Sequence, residues 1–240
     1  MTKRTGDARF PRTNYKTSKH CVAYLDFLGG TDIILHDDQN KHLNIINMIF
    51  EDAKKESQIF SQGAFVKIFS DNILLALPTD NDNREQNIKS IVNLISNFVH
   101  QAADNGYLIR GALTEGDFFH NDIIVYGKAL VEAVEMEEKY AIYPRVIVKK
   151  EIARILPQYF YPGGDGWNSI NHSVFDVGFD STNFKYTLLS QLSAQKNNNK
   201  VRQKIMWAIT DFNIIGNVMR RMGALSNEII TRKEIDDALE

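Results

Sequence analysis

The chain has 240 residues, a formal net charge of −2 at pH 7 and a hydrophobic fraction of 43%. That is enough for one large packed domain, and the near-neutral charge argues against nucleic acid or an anionic membrane surface as the main partner. One cysteine, Cys21, excludes an internal disulfide and a cysteine-based zinc site; with no signal-peptide apolar segment and no bilayer-spanning run, a reducing cytoplasm is the expected compartment.

Residues 1–19 hold Lys3, Arg4, Arg9, Arg12, Lys16 and Lys19 with Pro11 and no period, and read as a basic arm or an extended interface strand. Residues 20–28 follow as a buried strand. Leu43, Ile46, Met48, Ile49, Phe50, Ala53 and Ile59 then recur near helical spacing and stop before Gly63. Two β-rich runs, 64–69 and 73–77, flank Ser70-Asp71-Asn72, a composition suited to a tight turn, so they form a hairpin with Asp71 at its tip. Ile88, Ile91, Val92, Ile95, Phe98, Val99 and Ala102 give the cleanest helical stripe, ended by Asn105-Gly106, and 107–113 reads as another strand. The order is an α+β, ferredoxin-like β-α-β-β-α-β core.

Further elements extend that core. The sequence predicts a Glu-rich helix over 127–140, a strand over 144–148, a short helix over 149–156, a pattern-breaking loop over 161–166, and closing strands over 173–179 and 185–189. After the polar stretch 196–200, Val201, Ile205, Ala208, Ile209, Phe212, Ile215, Met219 and Met222 mark a long amphipathic helix. The expected division is a basic arm over 1–19, a catalytic domain over 20–195 and a C-terminal helical extension over 196–240.

Two aspartates carry the chemistry. Asp26 ends the apolar run Val22-Ala23-Tyr24-Leu25, and Asp71 sits between two apolar strands, each without an obvious adjacent cation. A carboxylate there costs several kcal/mol to desolvate unless something positive compensates. In the ferredoxin-like order the end of the first strand meets the tip of the hairpin, so both face one pocket. Together they suit Mg²⁺ or Mn²⁺, which prefer oxygen ligands and take triphosphate oxygens. Asp26 is followed by Phe27-Leu28-Gly29-Gly30-Thr31, where paired glycines let the backbone approach a phosphate. Alone, Asp71 reads as a turn residue and Gly29-Gly30 as a turn; their juxtaposition with Asp26 favours the metal reading. Arg110 reads as a phosphate contact or as an ion-pair partner for Glu115 or Asp117. His36-Asp37-Asp38 and His120-Asn121-Asp122 read as solvated loops, and Glu132, Glu135, Glu137 and Glu138 as a charged helix face.

At these residues the sequence resembles the class III nucleotidyl cyclases. The resemblance runs over residues 20–150: Val22 to Thr31 for the first strand and its glycines, Ser70-Asp71 for the hairpin, Ile109-Arg110-Gly111 for the Arg-bearing strand, and Tyr126-Gly127 to Glu137 for the family's Gly-x-x-x-Asn-x-Ala-x-Arg-x-Glu helix. Several positions depart from it. Val131 and Glu135 stand where the helix Asn and Arg would act in the transition state, and Phe65 and Ile124 where Lys and Asp would read adenine. A short stand-alone domain so altered resembles most the pyrimidine cyclases of the Pycsar anti-phage system.

That resemblance implies a homodimeric enzyme with sites across the interface, two Mn²⁺ or Mg²⁺ ions per site, and a cyclic-nucleotide-responsive effector downstream. It implies Asp26, Phe27 and Asp71 as metal ligands; Phe27, Gly29, Gly30, Thr31, Phe65 and Arg110 as substrate contacts; and Asp26, Asp71 and Arg110 as catalytic. Phe65 would pack on the base. Arg145 and Lys128 are candidates for the missing transition-state cation. UTP is the expected substrate, uridylate cyclases being the commoner members, with CTP the alternative. Competing readings are an adenylate or guanylate cyclase, a palm-like diguanylate cyclase or polymerase, and a catalytically dead nucleotide-binding regulator.

Overall fold

A computed structural model describes residues 15–56, 63–79, 82–163, 165–170, 181–195, 197–221 and 229–240. Residues 1–14 of the basic arm, and the strand expected over 173–179, lie outside them.

The core is one twisted sheet of eight strands, β1 (Ser18–Phe27), β2 (Phe65–Phe69), β3 (Asn72–Pro78), β4 (Ile109–His120), β5 (Val125–Tyr126), β6 (Val146–Val148), β7 (Phe160–Pro162) and β8 (Asn168–Ile170). They run in the order β2-β3-β1-β4-β6-β8-β7, with β5 pairing the end of β4. The β2-β3-β1-β4 part is antiparallel throughout and is the expected ferredoxin-like arrangement, while β6 joins β4 in parallel.

Period-two alternation on β1 divides the molecule. Cys21, Ala23, Leu25 and Phe27 face a layer built by α2 (Lys41–Glu56) and α3 (Arg84–Asp104), whose Ile46, Ile49, Ile88, Ile91, Ile95 and Phe98 fill the main core. Each such fully buried side chain contributes about 1.5–3 kcal/mol. Val22 turns to the opposite face, where Leu74, Ala76 and Phe118 pack on Ala129 of α4 (Lys128–Tyr140). α3 ends where the sequence says, at Asn105, with Gly106 at φ 81 and its N–H returned to the Ala103 carbonyl.

Three expectations need correction. A short helix, α1 (Gly30–Leu35), intervenes between β1 and α2. The expected loop over 161–166 begins inside a strand, for Tyr161 and Pro162 belong to β7, which pairs β8, and the Gly163 N–H donates to the Trp167 carbonyl at 2.6 Å. The strand expected over 185–189 is helical, inside α6 (Ser181–Ala194). Its aromatic and β-branched content reads as strand, but Leu188 and Leu192 are four apart and pack together in a second core, whereas a strand would put four-apart residues about 13 Å from each other.

That second core holds the rest of the chain. Leu188 and Leu192 meet Ile205, Ala208 and Ile209 of α7 (Asn199–Arg221), the long helix the sequence predicts, and Ile230 near α8 (Arg232–Leu239). Leu108 and Leu28 join the same cluster, so the C-terminal helices lie against the segments that lead into and out of the strands bearing Asp26 and Arg110. A short α5 (Lys150–Ala153) follows β6.

Candidate functional site

Asp26 lies at the C-terminal end of β1, directly opposite Arg110 on β4 and Asn72 on β3. The hairpin turn is two residues long, Ser70 taking φ 56, so Asp71 falls at its tip beside the end of β1. The Phe27 N–H donates to the Asp71 carbonyl at 3.1 Å and fastens the tip to β1. The structure therefore brings Asp26 and Asp71 to one place, as the order of elements implies.

Gly29 and Gly30 complete this corner. Gly29 takes φ 78 as the residue before α1, and a Cβ on Gly30 would come within 2.6 Å of Asp71 Oδ2, so only glycine leaves that carboxylate room. Thr31 Oγ1 donates to Asp71 Oδ2 at 3.4 Å and Asn72 Nδ2 to Oδ1 at 3.1 Å. Phe27 contributes main chain alone here, because its side chain is buried between the rings of His42 and Tyr107.

Arg110 is already paired within this chain while part of its side chain stays exposed. Its Nε and Nη2 both donate to Asp26 Oδ2 at 2.8 Å, Nη2 also lies 2.8 Å from Glu137 Oε1, and Nη1 donates to the Ala141 carbonyl at 3.4 Å. Its partners are thus Asp26 and Glu137; Glu115 pairs with Arg84 and Asp117 with Lys19. Glu137 is the residue that sequence reading missed. It belongs to the buried stripe of α4 with Ala129, Ala133 and Met136, while Glu132 and Glu135 point outward to Lys149 and Lys139. Its spacing of four residues from Ala133 and eight from Ala129, which puts it on their face of the helix, is the signal that could have found it.

Burial raises the Asp26 carboxyl, Arg110 opposes the rise and the nearby Asp71 adds to it. Burial likewise raises Glu137 to about 7 from the ordinary 4.5, Arg110 again opposing and Asp26 adding. The Tyr24 phenol, on the same sheet face, is pushed up to about 12 by burial and by these carboxylates.

Glu137 gives a pH dependence with a defined sign. Its folded pKa exceeds the unfolded value, so the folded state holds the proton more tightly and stability falls as pH rises from about 4.5 to about 7. Asp26, raised in the same sense, adds to the loss. We expect Glu137→Gln to gain about 1–2 kcal/mol relative to the parent protein between pH 5 and 7.5, after allowance for solvent screening. Chemical denaturation across that range measures it, and a parallel pH dependence of the two proteins would contradict the assignment.

The other predicted positions lie elsewhere on the sheet. Phe65, half-buried on β2, has its ring centroid 4.4 Å from that of His120 and 6.2 Å from that of Phe118, both pairs tilted, so His120 belongs to an aromatic cluster and not to a solvated loop. Ile124 is exposed on the β4–β5 loop, where Asn121 Oδ1 accepts from its N–H. Val131 is 61% exposed. Arg145 is withdrawn from any site. It is buried, paired with Asp165, bonded to Ser169 Oγ at 3.4 Å and stacked 4.9 Å over Trp207.

Among the described residues no group of three or more His, Cys, Asp and Glu gathers to hold a metal ion. The donor set at this corner is two carboxylates and main-chain oxygens, which suits a hard divalent cation that keeps waters and takes its remaining ligands from a triphosphate. The residues fit such an ion. Its charge would offset the burial that raises Asp26, and Gly30 keeps Asp71 clear of side-chain obstruction.

No protein-family model matches the chain, and no curated protein matches it in sequence. In fold it is similar to the monomeric guanylyl cyclase domain of the RhoGC fusion protein from the aquatic fungus Blastocladiella emersonii. That likeness has a TM-score of 0.52 at 13% identity, over 65% of this chain and 96% of that one. It is similar too to the catalytic core of a rhodopsin-guanylyl cyclase with converted specificity, in complex with ATPαS, with a TM-score of 0.50 at 13% identity over 65% and 97%. The chain has the fold of a nucleotidyl cyclase catalytic domain. Among the described residues no helix is long and apolar enough to cross a membrane.

Proposed function

We propose that this protein is a pyrimidine nucleotide cyclase that converts UTP to 3′,5′-cyclic UMP and pyrophosphate. The observation that carries the reading is the meeting of Asp26 and Asp71 at one corner of a cyclase fold, with Gly29 and Gly30 leaving space beside them. Pyrimidine choice is supported by the absence of Lys and Asp from the adenine-reading positions, held here by Phe65 and the exposed Ile124.

In the proposed reaction the ribose 3′-oxygen forms a bond to the α-phosphorus. The bond from that phosphorus to the oxygen bridging to the β-phosphate breaks, and pyrophosphate carries the electron pair away; the hydroxyl proton passes to solvent. Asp26, Asp71 and the main chain at Phe27 would hold Mn²⁺ or Mg²⁺, two ions per site, whose charge lowers the pKa of the attacking hydroxyl and steadies the leaving pyrophosphate. The chain's own part is positioning. The main chain of Gly29 to Thr31 receives the triphosphate, Arg110 lends positive charge between Asp26 and Glu137, and Phe65 offers a ring face to the base. A homodimer with sites at its interface, and a cyclic-nucleotide-responsive effector in anti-phage defence, belong to the same reading.

Purified protein supplied with Mn²⁺ and, separately, UTP, CTP, GTP and ATP should yield cyclic UMP, identified by mass. Cyclic CMP would keep the pyrimidine site and move the substrate; cyclic AMP or cyclic GMP would overturn the base-pocket argument. No product from any of the four would overturn the cyclase reading in favour of a nucleotide-binding regulator.

A further inference from the structure

α7 carries a lysine to the carboxylate corner. In its first turns Val201 packs with Leu28 and Leu108, and with Leu28, Gly29 and Leu108 it lines a cavity of about 460 Å³. Two turns on, Trp207 stacks on Tyr143 with ring centroids 4.3 Å apart and planes 7° from parallel. Tyr143 stands two residues beyond Ala141, whose carbonyl accepts from Arg110. Lys204 is three residues from each of Val201 and Trp207, on the helix face they define. It is therefore held between the end of β1 and the segment that follows α4, at Arg110. It is half-buried there.

The charges around it are already shared. Asp26 and Glu137 both pair with Arg110. After burial, repulsion from Arg110 is the largest influence on the Lys204 ammonium, exceeding the attraction of Asp26 or of Glu137, and together they hold it below the usual lysine range. Arg110 is already paired with both carboxylates, whereas Lys204 has no ion-pair partner among the described residues and is the cation left to meet an arriving anion. Meanwhile α4 offers no cation where one would be expected, having exposed Val131 and a Glu135 that faces Lys139 at 3.7 Å.

We propose that Lys204 is a substrate-contacting residue that binds the polyphosphate of the nucleoside triphosphate, supplying from the C-terminal helix a positive charge that α4 does not carry at Val131 or Glu135. This rests on the cyclase reading above. It makes the C-terminal helices part of the catalytic unit instead of an appendage to it.

The test compares parent protein, Lys204→Met and Lys204→Arg, each checked for an unchanged thermal midpoint. Calorimetric binding of inorganic tripolyphosphate, with and without Mn²⁺, is measured beside cyclisation kinetics. Lys204→Met is expected to weaken tripolyphosphate binding about tenfold and to lower kcat/KM by about 10- to 100-fold, with Lys204→Arg restoring most of both. Unchanged binding in Lys204→Met overturns the proposal, as does a loss of activity without a loss of binding. If the parent protein makes no cyclic product, the cyclase reading fails, yet the tripolyphosphate titration still decides whether Lys204 holds a polyphosphate. Should Lys204→Met prove unfolded, binding in Lys204→Gln decides in the same way.

Discussion

The Asp71→Asn protein is expected to fold as the parent does while its rate of cyclic nucleotide formation falls by about three orders of magnitude or more, equivalent to about 4 kcal/mol of transition-state stabilisation. Asn is nearly isosteric with Asp. It keeps the shape that Gly30 accommodates and can still accept from Thr31 Oγ1, so the hairpin tip stays fastened to β1 through the Phe27 N–H and the residue 71 carbonyl. What it loses is the charge that a divalent cation needs and one acceptor oxygen, so the bond from Asn72 Nδ2 goes while that from Thr31 stays. Asp26→Asn is expected to lose as much activity, with a second consequence, for Arg110 then keeps Glu137 as its sole carboxylate partner among those described. Product is assayed by mass with Mn²⁺ at saturation, with circular dichroism and thermal unfolding as controls. Activity within tenfold of the parent in either folded variant would overturn the assignment of these two residues as metal ligands.

The second large effect is on stability and distinguishes the two members of one ion pair. Arg145 is buried against the turn of the β7–β8 hairpin, whereas Asp165, its partner, is partly exposed. Removing the exposed member strands the buried one. Asp165→Ala leaves a guanidinium out of water with no carboxylate, and is expected to cost about 3 kcal/mol. Arg145→Met takes away the charge itself and replaces it with an apolar chain that can still lie against Trp207, so a smaller loss of about 1 kcal/mol is expected. Urea unfolding of the two variants measures the difference. Equal losses would contradict the account. Arg145→Met should also keep its cyclase activity per folded molecule, since this arginine is turned into the protein and not toward Asp26 and Asp71.

Glu137, Lys204 and Arg145 have one thing in common. Each is an ordinary charged residue in a charged helix or near a strand, and nothing in its immediate sequence marks it out. Their roles follow from partners far along the chain, Glu137 with Arg110, Arg145 with Trp207, and Lys204 with both strand ends. The same distance effect explains the misread segment over 185–189. Its local composition favours a strand, and the helix wins because Leu188 and Leu192 have α7 to pack against.

The sequence by itself determined the order of the core's strands and of its two main helices, the tight turn that carries Asp71, the stop of α3 at Asn105-Gly106 and the long helix after the polar stretch 196–200. These are written in short-range patterns: alternation at period two, apolar spacing near 3.6, and turn residues whose backbone freedom is their own. It also implied that Asp26 and Asp71 meet, because strand order fixes which strand ends lie side by side. Only the tertiary structure decided which charges neutralise which. Arg110 lies between Asp26 and Glu137, Arg145 is buried against Asp165, and α7 packs beside Leu28 and Leu108 so that Lys204 feels the charges of Asp26 and Arg110. The reason is physical. Most of the core's secondary structure answers to neighbours within a few residues, while the cost of burying a charge, like the helix over 185–189, is set by whatever the whole fold places beside it.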